Sequence, residues 1–309
     1  METNQKPDHA KVSHTAVFCA KSLAEDSDVP YAKEIWQRLR EYDADVVRDG
    51  NTMFNNLFRK VIMSFPSMQG MKAILEGRYM AVNNVLVNEG NPHVVELASG
   101  LSPRGLDFTR RDPNQIYIET DLPELQGIKR EVVEQIRREE GLEGLASTPN
   151  YHLVPLNVVD RKQFMEAVKP YADSPRDGPL AIVHAGLWMY LDSDEQKTAR
   201  DNIAEVLRTY SPDGMWATPD IVMNVREFVK NPLLRWRMKR IEKKTGRKFT
   251  FYENDEDTKA FLADGGFKTE VVPSAYLAET LSSVDNLGLN VEKVRQKSRM
   301  YDVHKMKLA

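Results

Sequence analysis

The stretch His93-Val-Val-Glu-Leu-Ala-Ser-Gly-Leu-Ser-Pro-Arg-Gly105 decides the fold of this chain. It opens as a short apolar run and closes in small residues and a Ser-Pro-Arg-Gly turn, the pattern of a buried parallel strand entering a tight turn. A strand buried on both faces belongs to an α/β sheet, whose ligands bind beyond the carboxyl ends of the strands. Ala98, Ser99 and Gly100 would let a ligand approach the backbone closely. The dinucleotide fingerprint GxGxxG is absent, so a pyrophosphate has no obvious cradle. A strand–helix turn with no ligand would carry the same letters.

The grammar on the C-terminal side repeats. Apolar runs at 115–123, 151–160, 179–186, 214–223, 267–273 and 300–308 read as strands, and the charged amphipathic stretches 125–141, 161–172 and 193–210 read as helices. Strands alternating with helices predict a Rossmann-like, seven-stranded, mostly parallel sheet with helices on both faces. On the N-terminal side, residues 1–12 look like a flexible tail. Helical spacing then runs over 13–23, 31–42 and 43–90, with a break at 25–30 and turns near Asp49–Gly50 and Pro66. The expectation is one compact unit: a helical cap over 1–90 and a sheet domain over 91–309, with a helical insertion at about 224–260 between strands five and six.

Composition narrows the class. The chain has 309 residues, 41% of them hydrophobic and 29% charged, as in an ordinary globular protein. A formal net charge of -3 offers no electrostatic case for nucleic acid as a partner. Cys19 is the sole cysteine, so a disulfide within the chain and a metal site of several thiolates are both excluded, and no metal is implied. That usage fits a cytoplasmic protein, and Cys19 reads as an inert buried thiol. No apolar run reaches the roughly 18 residues that span a bilayer, so no membrane is expected.

A second chemical signal stands at Glu119-Thr-Asp121, the end of the second strand. A carboxylate about 20 residues past the glycine turn can accept both hydroxyls of a ribose, although acidic strand ends are often merely solvated. The small-residue turn and the carboxylate together favour an adenosine-bearing ligand without a diphosphate, of which S-adenosylmethionine is the usual case.

With these residues in hand, the chain resembles the leucine carboxyl methyltransferase family, including its bacterial branch of polyketide-type O-methyltransferases. Ser13-His-Thr-Ala16 and Pro30-Tyr-Ala32 resemble that family's opening helix and proline-tyrosine element. Arg78 resembles the arginine that holds the cofactor carboxylate. Glu96–Gly105 resembles the glycine loop, with Ala98 in place of its first glycine. Ile118–Pro123 resembles the motif whose aspartate takes the ribose, which makes Asp121 a better candidate than Glu119. Leu156-Asn157-Val158 falls where the family has aspartate-leucine beside the adenine, and the Asn157 carbonyl could meet the adenine amino group. Val183–Leu191 resembles the fourth-strand motif, except that Ala185 replaces its glutamate. The resemblance implies a class I methyltransferase fold and S-adenosylmethionine as cofactor, seated by Arg78, Glu96, Ala98, Ser99, Gly100, Glu119, Asp121, Asn157, Val158, His184 and Ala185.

His184 ends the fourth strand and could take a proton from an acceptor hydroxyl. It could equally be a core histidine, and neighbours on a regular strand point to opposite faces, so 184 and 185 cannot both meet the cofactor. Trp188 and Tyr190 could cover the acceptor or belong to the core. The basic run Lys230–Lys248 reads best as the solvated face of an amphipathic helix. The expected function is S-adenosylmethionine-dependent O-methylation of a small-molecule carboxylate or hydroxyl. The alternatives are a nitrogen acceptor, or a non-methylating or ligand-sensing relative on the same fold.

Overall fold

The computed structural model describes residues 13–42, 66–90, 92–141, 149–174, 178–221 and 255–309. The turn near Asp49–Gly50, the basic run 230–248 and the greater part of the expected 224–260 insertion lie outside them. Three helices precede the sheet: α1 (Ser13–Asp26), α2 (Ala32–Tyr42) and α3 (Pro66–Asn88). Pro66 opens α3, where a missing N–H costs nothing.

The first strand, β1 (His93–Leu97), is buried along its whole length. After it come α4 (Arg104–Arg111), β2 (Tyr117–Asp121), α5 (Pro123–Glu139), β3 (Tyr151–Pro155), α6 (Arg161–Ala167) and α7 (Lys169–Ala172). Next follow β4 (Leu180–His184), α8 (Ser193–Tyr210), β5 (Met215–Thr218), α9 (Asp255–Asp264) and β6 (Phe267–Val272). Short helical pieces then lead to β7 (Val303–Leu308). A capping box starts α8: the Asp192 side chain accepts from the Glu195 backbone while Glu195 accepts from the Asp192 N–H.

The strands form one sheet in the order β3-β2-β1-β4-β5-β7-β6. The first five run parallel, and β7 is antiparallel to both β5 and β6. This is the seven-stranded, mostly parallel architecture that the sequence predicts. The strand order turns around between β1 and β4, which opens a crevice at the carboxyl ends of those strands.

Alternation along the strands divides the core into two layers. Val94, Tyr117, Ala181, Val183 and Ala217 face the layer that holds α1, α2, α3 and α5. Val95, Ile118, Leu180, Ile182 and Trp216 face the layer that holds α6 and α8. The N-terminal helices therefore share a hydrophobic core with the sheet. Among the described residues, no helix is long and apolar enough to cross a membrane.

Candidate active site

A cavity of about 390 Å³ opens at the crevice between β1 and β4, within the size range of small-ligand sites. Its floor is the loop after β1, which turns because two residues take left-handed backbone angles, Ala98 at φ 49° and Gly100 at φ 56°. Glycine adopts that region freely; alanine does so at a cost. At Gly100 the loop also meets α1, where an added Cβ would sit 3.2 Å from the Ala16 Cβ. Helix α1 roofs the cavity with Thr15, Ala16, Cys19, Ala20 and Leu23. Burial pushes the Cys19 thiol up to about 11, against the pull of Arg78, so it stays protonated at neutral pH.

Asp121 stands at the end of β2 on the cavity wall. Its Oδ2 accepts from Gly100 N at 2.7 Å and its Oδ1 from Leu122 N at 2.8 Å. Burial raises its pKa, and those two backbone donors oppose the rise. With one backbone bond on each oxygen, both keep acceptor capacity. Beyond it, Leu122, Leu156, Asn157 and Val158 make an apolar slot with one amide. The side chain of Asn157 accepts from Val159 N at 3.4 Å, which holds the loop after β3 in shape.

Glu119 is placed differently from the sequence expectation. It is fully buried two residues before Asp121 on β2, deeper beneath α5, pairs with Lys129 of that helix and accepts from Gly105 N at 2.9 Å. Its carboxylate holds the start of α4, away from the cavity, and so corrects the expectation of a cofactor contact. The reason is local: α4 begins at Gly105's neighbour, and its first N–H groups need an acceptor. An added Cβ at Gly105 would lie 2.3 Å from Glu119 Oε1, which explains the glycine. Glu96 does border the cavity, but Arg104 and Tyr117 engage its two oxygens, the latter at 2.8 Å. It shapes the wall as part of a neutralised pair.

Strand β4 delivers Ala185 and Gly186 to the cavity and turns His184 the other way. The His184 ring is fully buried, stacked on Trp188 at 5.6 Å between centroids and tilted against Trp216 at 5.8 Å. Its Nδ1 lies 3.2 Å from Asp220 Oδ2 and 3.1 Å from Thr218 Oγ1. The expected roles of His184 as base and cofactor contact are thus corrected by strand alternation, which gives position 185 to the cavity and position 184 to the aromatic core. Trp188, expected over the acceptor, belongs to the same aromatic group. Tyr190 does line the cavity, and its hydroxyl lies 3.3 Å from Thr15 Oγ1 of α1, so it ties the roof to the β4 loop.

Arg78, from α3, also lines the cavity and gives Nη2 to Asp220 Oδ1 at 2.5 Å. Asp220, two residues past β5, was not singled out by the sequence. It is buried, and its Oδ2 accepts from Gly186 N at 2.6 Å and Leu187 N at 2.9 Å. Burial alone would raise its pKa, but Arg78, His184 and the Gly186 N–H outweigh that and hold it well below the usual carboxylate range.

The structure therefore gathers Arg78, Glu96, Ala98, Ser99, Gly100, Asp121, Asn157, Val158, Ala185 and Tyr190 around one cavity and leaves out Glu119, His184 and Trp188. The gathered set suits a zwitterionic nucleoside: a carboxylate for ribose hydroxyls, a guanidinium for a carboxylate, and an apolar slot with an amide for a base.

Comparison with known proteins agrees with this geometry. The family model of leucine carboxyl methyltransferase matches residues 20–204, more than half of the chain. A DUF574 family protein from Streptomyces avermitilis MA-4680 has a similar structure, with a TM-score of 0.51 and 15% identity, over 98% of this chain and 97% of that one. A protein from Thermobifida fusca YX gives a TM-score of 0.50 at 16% identity, over 99% of this chain and 97% of that one. These two likenesses show the fold. No curated protein matches the chain. From the matched family model and the cavity at its glycine loop it follows that the chain belongs to the leucine carboxyl methyltransferase family, and is a methyltransferase with S-adenosylmethionine as its cofactor.

Proposed function

We propose that the chain methylates oxygen on a small acceptor that arrives already ionised, a carboxylate or an acidic hydroxyl. One observation carries this reading: among the described residues, the carboxylates on the cavity wall, Glu96, Asp121 and Glu195, all accept hydrogen bonds from the protein itself. His184, at the end of β4, is sealed in the aromatic core with Nδ1 on Asp220. Glu96 is neutralised by Arg104, Asp121 is held by two backbone donors, and burial raises the Tyr190 phenol. A neutral alcohol or a protonated amine would need a base. An acceptor that is already an anion needs placement alone, and positioning can supply most of the acceleration.

When bound, the cofactor would supply an electrophilic methyl group. Asp121 would accept the ribose hydroxyls, Arg78 would meet the amino-acid carboxylate, and Asn157 and Val158 would flank the adenine. Ala98, Ser99 and Gly100 would let the ligand lie against the backbone. The roof of α1 would exclude water, and Thr15 and Tyr190 would border the acceptor. A single cysteine kept as a thiol is in keeping with a cytoplasmic setting.

Labelled S-adenosylmethionine offered with panels of carboxylic acids, phenols, enols and amines tests this. Methyl transfer to carboxylates or acidic hydroxyls is expected, at a rate independent of pH between about 6 and 8, where such acceptors stay ionised. Transfer to amines with every oxygen acid inert would overturn it.

A further inference from the structure

At the ends of β4 and β5 the negative charge stands in an unexpected place. Position 185, at the cavity, is alanine, and a carboxylate, Asp220, lies buried behind the wall and accepts from the N–H of the next residue, Gly186. Three of its partners are parts of that wall. Arg78 donates Nη2 to one oxygen, and the Gly186 and Leu187 N–H groups donate to the other. Asp220 is also the anion that Arg78 engages among the described residues, and it leaves the remaining guanidinium hydrogens unused.

We propose that Asp220 is a positioning residue that fixes the Arg78 guanidinium and the 186–187 backbone so that the cavity takes the amino-acid end of the cofactor. The inference rests on the reading above that Arg78 meets that carboxylate. The physical argument has two parts. An arginine side chain on a helix samples many rotamers, and a buried anion on one nitrogen selects one of them and leaves the other edge of the fork free. The Arg78–Asp220 pair is also close to neutral as a unit. It therefore suits a zwitterionic amino-acid group, whereas an uncompensated arginine would favour any anion.

The test is calorimetry with two probes, S-adenosylhomocysteine and 5′-methylthioadenosine, which share the adenosine and sulfur but differ in the amino-acid group. For Asp220→Asn, S-adenosylhomocysteine should bind roughly 10- to 100-fold more weakly, the loss of one well-placed charged contact. Binding of 5′-methylthioadenosine should stay within about twofold of wild type, a difference of under half a kcal/mol. Asp220→Glu keeps the charge but displaces the guanidinium, so it should show the same selective loss and serves where the asparagine variant folds poorly. Equal loss of both probes, or no loss of either, would overturn the positioning role. Failure of the wild-type chain to bind S-adenosylhomocysteine, or binding untouched by Asp121→Ala, would instead overturn the cofactor placement on which the inference rests.

Discussion

Single residues divide into those that face the cavity and those that hold the residues that do. Asp121 and Glu119 show the distinction two positions apart on β2. Asp121→Ala should weaken S-adenosylhomocysteine binding by about 1.5–3 kcal/mol, the worth of hydrogen bonds to a charged group, with little change in melting temperature. Glu119→Gln should do the reverse, because it strands the buried Lys129 ammonium and costs about 3–5 kcal/mol of stability. Calorimetry and thermal denaturation on the two variants separate the roles, and a shared phenotype would contradict this division. The sequence makes Asp121 legible because a carboxylate at a strand end after a small-residue turn is a local signal. Asp220 is not legible in that way. Its partner Arg78 lies 142 positions away, and nothing in Thr218-Pro-Asp220 separates it from other loop acids. For His184 the residue type allows a base, and the alternation with Ala185 is what decides for the core.

At the scale of elements, the loop between β1 and α4 concentrates backbone demands. Ala98 holds a left-handed angle that glycine adopts more easily, so Ala98→Gly should stabilise the fold by about 1 kcal/mol, after the entropy glycine loses on folding. At Gly105 the sign reverses. An alanine there would press its Cβ on Glu119 and Tyr151, and Gly105→Ala should destabilise by about 1–3 kcal/mol. Chemical denaturation of both variants checks the pair, and like signs would show the loop to be placed otherwise. The strands were legible because each is a short apolar run between breakers, and α8 because its charged residues follow an amphipathic period. Residues 275–300 were not. They fold as short helical pieces without a period of their own, and Glu76 of α3 docks one of them by accepting from Ser282 N at 3.0 Å and Ser283 N at 2.8 Å. Such a segment is specified by its surroundings more than by its letters.

For the molecule as a whole, buried carboxylates of opposite habit set the response to pH. Asp220 has a folded pKa below its unfolded value near 3.9. The stability it contributes is thus fully present above about pH 5 and is lost as pH falls through the folded value, in strong acid. Asp121 and Asp107 have raised values, mainly from burial, so the cost of their charge is present at neutral pH and is relieved as pH falls through the folded values. Asp220→Asn should therefore cost about 3 kcal/mol at pH 7. The gap from wild type should stay level down to about pH 5 and close only in stronger acid. Denaturant titrations across that range measure it, and a gap that closes between pH 7 and 5 would contradict the assigned state of Asp220. One consequence of the sheet order concerns time. Strand β7 is made after every other strand, yet it inserts between β5 and β6, and β6 has no other neighbour in the sheet. As the polypeptide leaves the ribosome, β1 to β5 can assemble in sequence while β6 waits, emerged but unpaired. Strand β5 already lies on β4 by then and waits only for its second edge, so the parallel half of the sheet with its cofactor crevice can form first, and the antiparallel pairing of β5, β7 and β6 is completed when Val303–Leu308 arrives.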